Sequence, residues 1–155
     1  MGGMSSGALT VRDLTVDLLS VRNITIPVVS EVSFQVDPGS IVGLFGESGC
    51  GKTTLALALL NLLPASRYRV RGSVQLRDFE VLSATEHQLE RIRGAELSSL
   101  FRELREKLQT SFLLISHSPG VLARTADQVL IMHAGRIVER GTPRQVFGKG
   151  IAHGR

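Results

Sequence analysis

Residues 46–53, Gly46-Glu47-Ser48-Gly49-Cys50-Gly51-Lys52-Thr53, read GESGCGKT and complete the pattern G-x-x-x-x-G-K-[ST]. Just before them, Ile41–Phe45 is a short, nearly continuous apolar run, as in a strand covered on both faces of a parallel sheet. Just after them, residues 54–63 are apolar all round and stop before Pro64, which predicts a helix packed inside an α/β domain. A strand, this loop and a helix in that order are the context the motif needs to be more than a glycine-rich turn with an incidental lysine.

The residue types dictate the chemistry. Gly46, Gly49 and Gly51 let the backbone take positive φ and approach an anion without a Cβ clash. Successive N–H groups from Gly46 through Glu47, Ser48, Gly49, Cys50, Gly51, Lys52, Thr53 and Thr54 then form an anion nest at the positive end of the helix. Lys52 is placed to reach the β- and γ-phosphates of ATP, and the Thr53 hydroxyl to ligate the Mg²⁺ between them. Cys50 occupies a position where the backbone acts, so it reads as a small filler.

Outward from the loop, Leu9, Val11, Leu14, Val16 and Leu18 alternate approximately and Val32, Phe34 and Val36 strictly, predicting two half-buried strands. Pro38-Gly39 marks a turn. Val74 and Leu76 suggest another strand, and residues 111–116 and 128–132 two buried ones. Ala134-Gly135 turns the chain into Ile137-Val138 as a hairpin, and residues 142–147, with Pro143 in the first turn, read as a short helix. Leu97, Phe101, Leu104 and Leu108 fall at helical spacing. The expected organisation is a disordered start over residues 1–8, one domain over 9–147 and a frayed tail over 148–155. Gly2 to Ser6 formally fits N-myristoylation, a match too commonplace to displace a frayed terminus.

Composition sets limits. With 155 residues, 43% of them hydrophobic, the chain suits one domain with a true core. The +4 charge arises after residue 135, because residues 1–135 carry 13 basic and 13 acidic side chains. The Arg67, Arg69, Arg71 cluster therefore reads as a solvated strand face, and no nucleic-acid partner is expected. A single cysteine excludes an internal disulfide, and the opening lacks a secretory pattern, so a cytoplasmic setting is expected.

The stretches VSFQVDPGSIVGLFGESGCGKTTLALALLNLL, RIRGAELSSLF and LLISHSPGVLARTADQVLIMHAGRIVERGTPRQVF resemble the nucleotide-binding domain of an ABC transporter, of the oligopeptide/dipeptide/nickel uptake type. The resemblance spans most of residues 9–147. It implies an α/β P-loop ATPase core, with a mixed or parallel sheet plus N-terminal antiparallel strands. It also implies ATP and Mg²⁺ as ligands, a second nucleotide-binding domain and transmembrane permease subunits as partners, and a peripheral place on the inner face of the plasma membrane. His117, after SFLLIS, matches the switch histidine that contacts the γ-phosphate, with Ser118 where an acid commonly follows. In the family's sheet, the strand leading to that histidine lies on one side of the phosphate-loop strand and the strand at 128–132 on the other.

Much of the family's equipment is missing. Lys52 and His117 are 65 positions apart, with no LSGGQ-like signature and no apolar run ending in Asp-Glu (Walker B) between them. Arg102 stands where a glutamine is expected, and residues 10–33 hold no aromatic to stack on adenine. The helical subdomain and the Walker B strand are therefore expected to be lacking, the strand at 111–116 to be an open edge, and permease docking to be impaired. Glu47 lies within the loop and Asp127 opens a strand, so no carboxylate is identified to orient water. The expectation is an ATP-binding component deficient in hydrolysis. Two rival readings stay open: a small P-loop kinase, and a non-catalytic interaction protein built on the same remnant.

Overall fold

The computed structural model describes residues 7–22, 24–93 and 111–151. The segments 1–6, 94–110 and 152–155, and with them Leu97, Phe101, Arg102, Leu104 and Leu108, lie outside the described residues. The described elements are, in order, β1 (Leu9–Leu19), β2 (Thr25–Val36), β3 (Ile41–Phe45), α1 (Lys52–Leu59), β4 (Tyr68–Leu76), β5 (Phe79–Glu80), α2 (Glu86–Arg93), β6 (Phe112–Ile115), α3 (Pro119–Thr125), β7 (Gln128–His133), β8 (Arg136–Gly141) and α4 (Pro143–Ile151).

These strands make two sheets. One is antiparallel, in the order β2-β1-β4-β5, and the other is mixed, in the order β6-β3-β7-β8. In the second, β6 and β7 flank β3 in parallel, with Leu44 level with Ile115 on one side and Leu130 on the other. β8 returns antiparallel to β7 through Ala134 and Gly135, at φ 46° and 77°. Two consecutive positive φ angles are what a tight hairpin turn demands. The sheet order and the N-terminal antiparallel strands agree with the α/β P-loop expectation.

A single buried cluster joins the sheets: Val11, Leu14, Val16 and Val29 meet Val42, Leu44, Leu130 and Met132 together with Leu55, Ala58 and Leu59 of α1. On β3, Val42 and Leu44 point into that cluster, and by strand alternation Gly43 faces the other way. There it receives Leu122 of α3, whose Cδ2 would lie 2.8 Å from any Cβ placed at Gly43. Both faces of β3 are thus covered, as its uninterrupted apolar run predicts.

Four expectations need correction. The helix after the loop ends at Leu59, not at residue 63: Asn61, at φ 51°, takes the left-handed position that closes a helix. Its N–H donates to the Ala58 carbonyl at 3.0 Å while that of Leu62 donates to Leu57 at 2.9 Å, the paired bonds of a Schellman end. Nor is the predicted stretch buried all round, since Leu57 within α1 and Leu60 and Leu62 beyond its end are exposed. At the other terminus, α4 runs from Pro143 to Ile151, longer than the short helix read over residues 142–147.

The strand at 111–116 is not wholly buried either. Phe112 is 47% and Ile115 36% exposed, and Val121 on the following helix is also exposed. Among the described strands, β6 pairs with β3 alone. An open edge carrying apolar side chains is a template for pairing with another chain. The mass measured by light scattering should therefore rise with concentration, and Ile115→Lys should suppress the rise; a constant monomer mass would contradict it.

Candidate phosphate-binding site

The loop of residues 46–51 leaves β3 at the C-terminal edge of the mixed sheet, where ligands of open α/β sheets bind. It is pressed onto backbone on two sides. A Cβ at Gly46 would lie 2.4 Å from the Met132 carbonyl oxygen, and one at Gly51 2.8 Å from that of Val28. The Gly135 N–H donates to the Cys50 carbonyl at 2.9 Å, and the Ser30 N–H to the Gly135 carbonyl at 2.8 Å. So β2, the loop and the β7–β8 turn are tied edge to edge. Gly46 and Gly51 serve this close approach as much as any ligand, and contrary to expectation only Gly49 and Gly51 of the three loop glycines take positive φ, so Gly46 is required for clearance alone.

Lys52 begins α1 and is 5% exposed. Its Nζ donates to the Gly46 carbonyl at 2.6 Å and to the Glu47 carbonyl at 2.7 Å, with Cys50 Sγ at 3.4 Å. Cys50 is therefore more than filler: it is buried, and its sulfur takes the weakest of the three lysine contacts.

The remaining geometry suits an anion. Gly51 caps α1 with φ 101° and no side-chain cap bond, and the first helical turn holds no acidic residue. The amides of Lys52, Thr53 and Thr54 have no intrahelical acceptor by construction. At Gly49, φ is 78° and a Cβ would meet nothing within 4 Å, so the outer rim of the loop is open. Thr53 is exposed at that rim, with Glu47 and Ser48. Among the described residues, no group of three His, Cys, Asp or Glu could hold a metal. A Mg²⁺ here would rely on the Thr53 hydroxyl, water and the phosphates of its nucleotide, the usual way this ion binds.

His117 follows β6 and is exposed. Because Ile115 is level with Leu44 and the Ser116 N–H donates to the Leu44 carbonyl at 3.2 Å, it emerges at the same sheet edge as the loop. Its turn is held on both sides. The Ser118 N–H donates to Ser116 Oγ at 3.1 Å, and Ser118 Oγ accepts from the Val121 N–H at 3.4 Å, capping α3. The serine standing where an acid commonly follows is thus a helix cap.

Asp127 is at the wrong end for chemistry. Its Oδ2 accepts from the Ile41 N–H at 2.8 Å and its own N–H donates to the Ile41 carbonyl at 2.8 Å, a two-point clamp at the start of β3. A concavity of about 590 Å³ lined by Glu139, Arg140, Arg144, Gln145 and Gly148 includes none of the loop residues.

Comparisons with known proteins point one way. The family described as ABC transporter matches residues 29–139. A probable D,D-dipeptide transport ATP-binding protein of Escherichia coli is 45% identical over 75 residues, which is 48% of this chain and 23% of that protein. An oligopeptide transport ATP-binding protein of Mycobacterium tuberculosis is 36% identical over 98 residues, 63% of this chain and 16% of that one. The chain thus spans less than a quarter of the length of these relatives. Among solved structures, a dimeric ATP-binding cassette in a post-hydrolysis state bound to ADP and Pi superposes with TM-score 0.68 at 12% identity, covering 88% of this chain and 99% of that one. An ATP-binding subunit of an ABC transporter gives 0.60 at 17% identity, covering 96% and 95%. At these identities the likeness is one of fold.

The glycine contacts order two substitutions. Gly46→Ala drives a methyl into the Met132 carbonyl and should cost about 3 kcal/mol. Gly49→Ala meets open space and should cost only the left-handed backbone penalty of ~1–2 kcal/mol. Thermal unfolding of the two variants should rank them in that order.

Proposed function

This chain belongs to the ABC transporter family, and from that premise we propose that it is an ATP-binding component of a peptide-type uptake system, capturing ATP·Mg²⁺ through residues 46–54. The observation that carries the reading is the buried Lys52 ammonium inside a glycine-lined loop at a helix start. In this reading the amides of Gly49, Gly51, Lys52, Thr53 and Thr54 cradle phosphate oxygens. Lys52 keeps its two carbonyl bonds, which hold it in position, and turns the donor now facing Cys50 Sγ toward the phosphate. A charged oxygen is a far better acceptor than a thiol sulfur, so the exchange is favourable. Thr53 supplies the hydroxyl ligand to Mg²⁺, which when bound neutralises phosphate charge.

His117 donates a hydrogen bond to the terminal phosphate from the neighbouring strand end, the role its motif implies. The transported ligand class follows the peptide transport names of the relatives, and the partners are permease subunits and a second nucleotide-binding domain, with the chain peripheral to the membrane. Among the described residues, no helix is long and apolar enough to cross a membrane itself.

Turnover is a separate matter. Orienting the attacking water takes a carboxylate near the terminal phosphate. Asp127 is clamped at the far end of β3, and Glu47 sits on the loop's outer rim with its carbonyl held by Lys52. The proposed chain therefore binds ATP and hydrolyses it no faster than buffer. Adenine selectivity is weak, because residues 10–33 hold no aromatic side chain for the base stacking that contributes ~1–3 kcal/mol in nucleic-acid complexes.

Calorimetric titration tests this. ATP·Mg²⁺ should bind the parent chain, GTP·Mg²⁺ about equally, and Lys52→Ala at least about 100-fold more weakly, with loss of a charge-assisted bond and of loop order together. Thr53→Ala should remove most of the Mg²⁺ dependence. Unchanged affinity in Lys52→Ala would overturn phosphate capture by this loop, and a phosphate-release rate that saturates with ATP and disappears in Lys52→Ala would overturn the hydrolysis-deficient part.

A further inference from the structure

The turn joining β1 and β2 is unusual for a water-facing loop. Val21 is fully exposed, Ile24 is 56% and Ile26 47% exposed, and the turn is closed by the Ser20 N–H donating to the Ile24 carbonyl at 2.9 Å. The start of β4 lies directly beside it: the Leu19 N–H donates to the Arg67 carbonyl at 2.8 Å, Leu18 is level with Tyr68 and Ile26, and Asp17 is level with Arg69. Three aliphatic side chains thus project from the same end of the sheet as Arg22 on the turn and Arg67 and Arg69 on the strand, all three arginines exposed, with Ile26 on the Leu18–Tyr68 face and Arg69 on the opposite one, level with Asp17. Residues 18–28 and 64–71 contain four arginines and no acidic residue. The nearest acid along β1, Asp17, is buried and held by Arg71 at 2.9 Å.

We propose that this tip is an insertion element for an anionic lipid surface, with Val21, Ile24 and Ile26 entering the acyl boundary and Arg22, Arg67 and Arg69 binding headgroup phosphates. Dimensions agree. At about 3.3 Å per residue, Arg69 lies only ~7 Å behind Arg67, so both remain within the headgroup zone when the tip sinks ~5–10 Å. The chemistry separates lipid from other occupants. A protein partner requires roughly 800 Å² per side, more than three side chains on a turn offer. A nucleic acid reads arginine and aromatic or polar groups and gains nothing from exposed valine and isoleucine. A bilayer uses both halves at once, apolar insertion and phosphate attraction. The inference stands independently of nucleotide capture.

The chain has no tryptophan, so Val21→Trp places a single reporter at the tip of the full chain. With phosphatidylglycerol vesicles its emission should shift to the blue and be quenched by brominated acyl chains, while phosphatidylcholine vesicles should leave it unchanged. Co-sedimentation of the parent chain with phosphatidylglycerol vesicles, free of any effect of the new ring, should weaken about tenfold in Ile24→Ser. It should weaken about fivefold in each of Arg22→Gln, Arg67→Gln and Arg69→Gln, and fall with added salt. Val138→Ser, at an exposed valine on β8, should bind like the parent. Any of four results overturns the proposal: no sedimentation with phosphatidylglycerol, equal sedimentation with both lipids, indifference to the tip variants, or tighter binding to a single-stranded oligonucleotide than to the vesicles.

Discussion

A buried ammonium group cannot be left without acceptors, and Lys52 meets that requirement with the loop that surrounds it. At 5% exposure its charge has lost most of its water, and the Gly46 and Glu47 carbonyls at 2.6 and 2.7 Å replace it. Hydrogen bonds to a charged donor contribute about 1.5–3 kcal/mol each, while a buried charge without them costs more than that. The lysine therefore organises the turn by forcing two carbonyls inward. Those two carbonyls are turned to Lys52, and within the same turn the Cys50 N–H donates to the Glu47 carbonyl at 3.3 Å. The phosphate capture proposed for the loop and its internal cohesion would then be two results of one constraint.

That constraint operates only because the loop is held from outside. Gly46 packs on the Met132 carbonyl, Gly51 on that of Val28, and Gly135 bonds Cys50. The three supports come from β2, β7 and the β7–β8 turn, elements of both sheets. The antiparallel sheet, which carries no loop residue itself, is thus part of the site through Val28 and Ser30. Its core residues Val16 and Val29 share one cluster with Leu55 of the helix that follows the loop, so packing of the sheet and posture of the loop are coupled.

How much of this was legible follows from the range of each signal. The loop, its strand and its helix are contiguous, and residue type alone specifies them. The flanking order β6-β3-β7 came from resemblance, since nothing in the periodicity of residues 111–116 or 128–132 says which strand each pairs with. Helix α2 was not anticipated, although Thr85 and Gln88 form a reciprocal capping box, with the Thr85 N–H donating to Gln88 Oε1 at 2.9 Å. Helix α3 carries a similarly local signal, since Ser118-Pro119 is a cap and first-turn pair. The early stop of α1 is written in Asn61, the left-handed residue that ends it. The buttressing of the loop was out of reach because Val28, Met132 and Gly135 are distant in the chain and carry no side chain of evident purpose there.

The polarity of a parallel sheet explains why phosphate capture and hydrolysis separate in the proposed reading. Every strand parallel to β3 delivers its C-terminal residue to the loop's edge and its N-terminal residue to the opposite one. His117, past the end of β6, arrives beside the loop, whereas Asp127, ahead of β7, is carried to the other end and binds Ile41. A carboxylate able to act on a bound phosphate must therefore follow a parallel strand, and among the described parallel strands β6 is followed by Ser116 and His117 and β7 by Ala134. Capture, in contrast, draws on amides that any chain supplies once glycine permits the turn. A shortened P-loop domain can keep the property that belongs to its backbone while losing the one that depends on a single side chain at a single strand end.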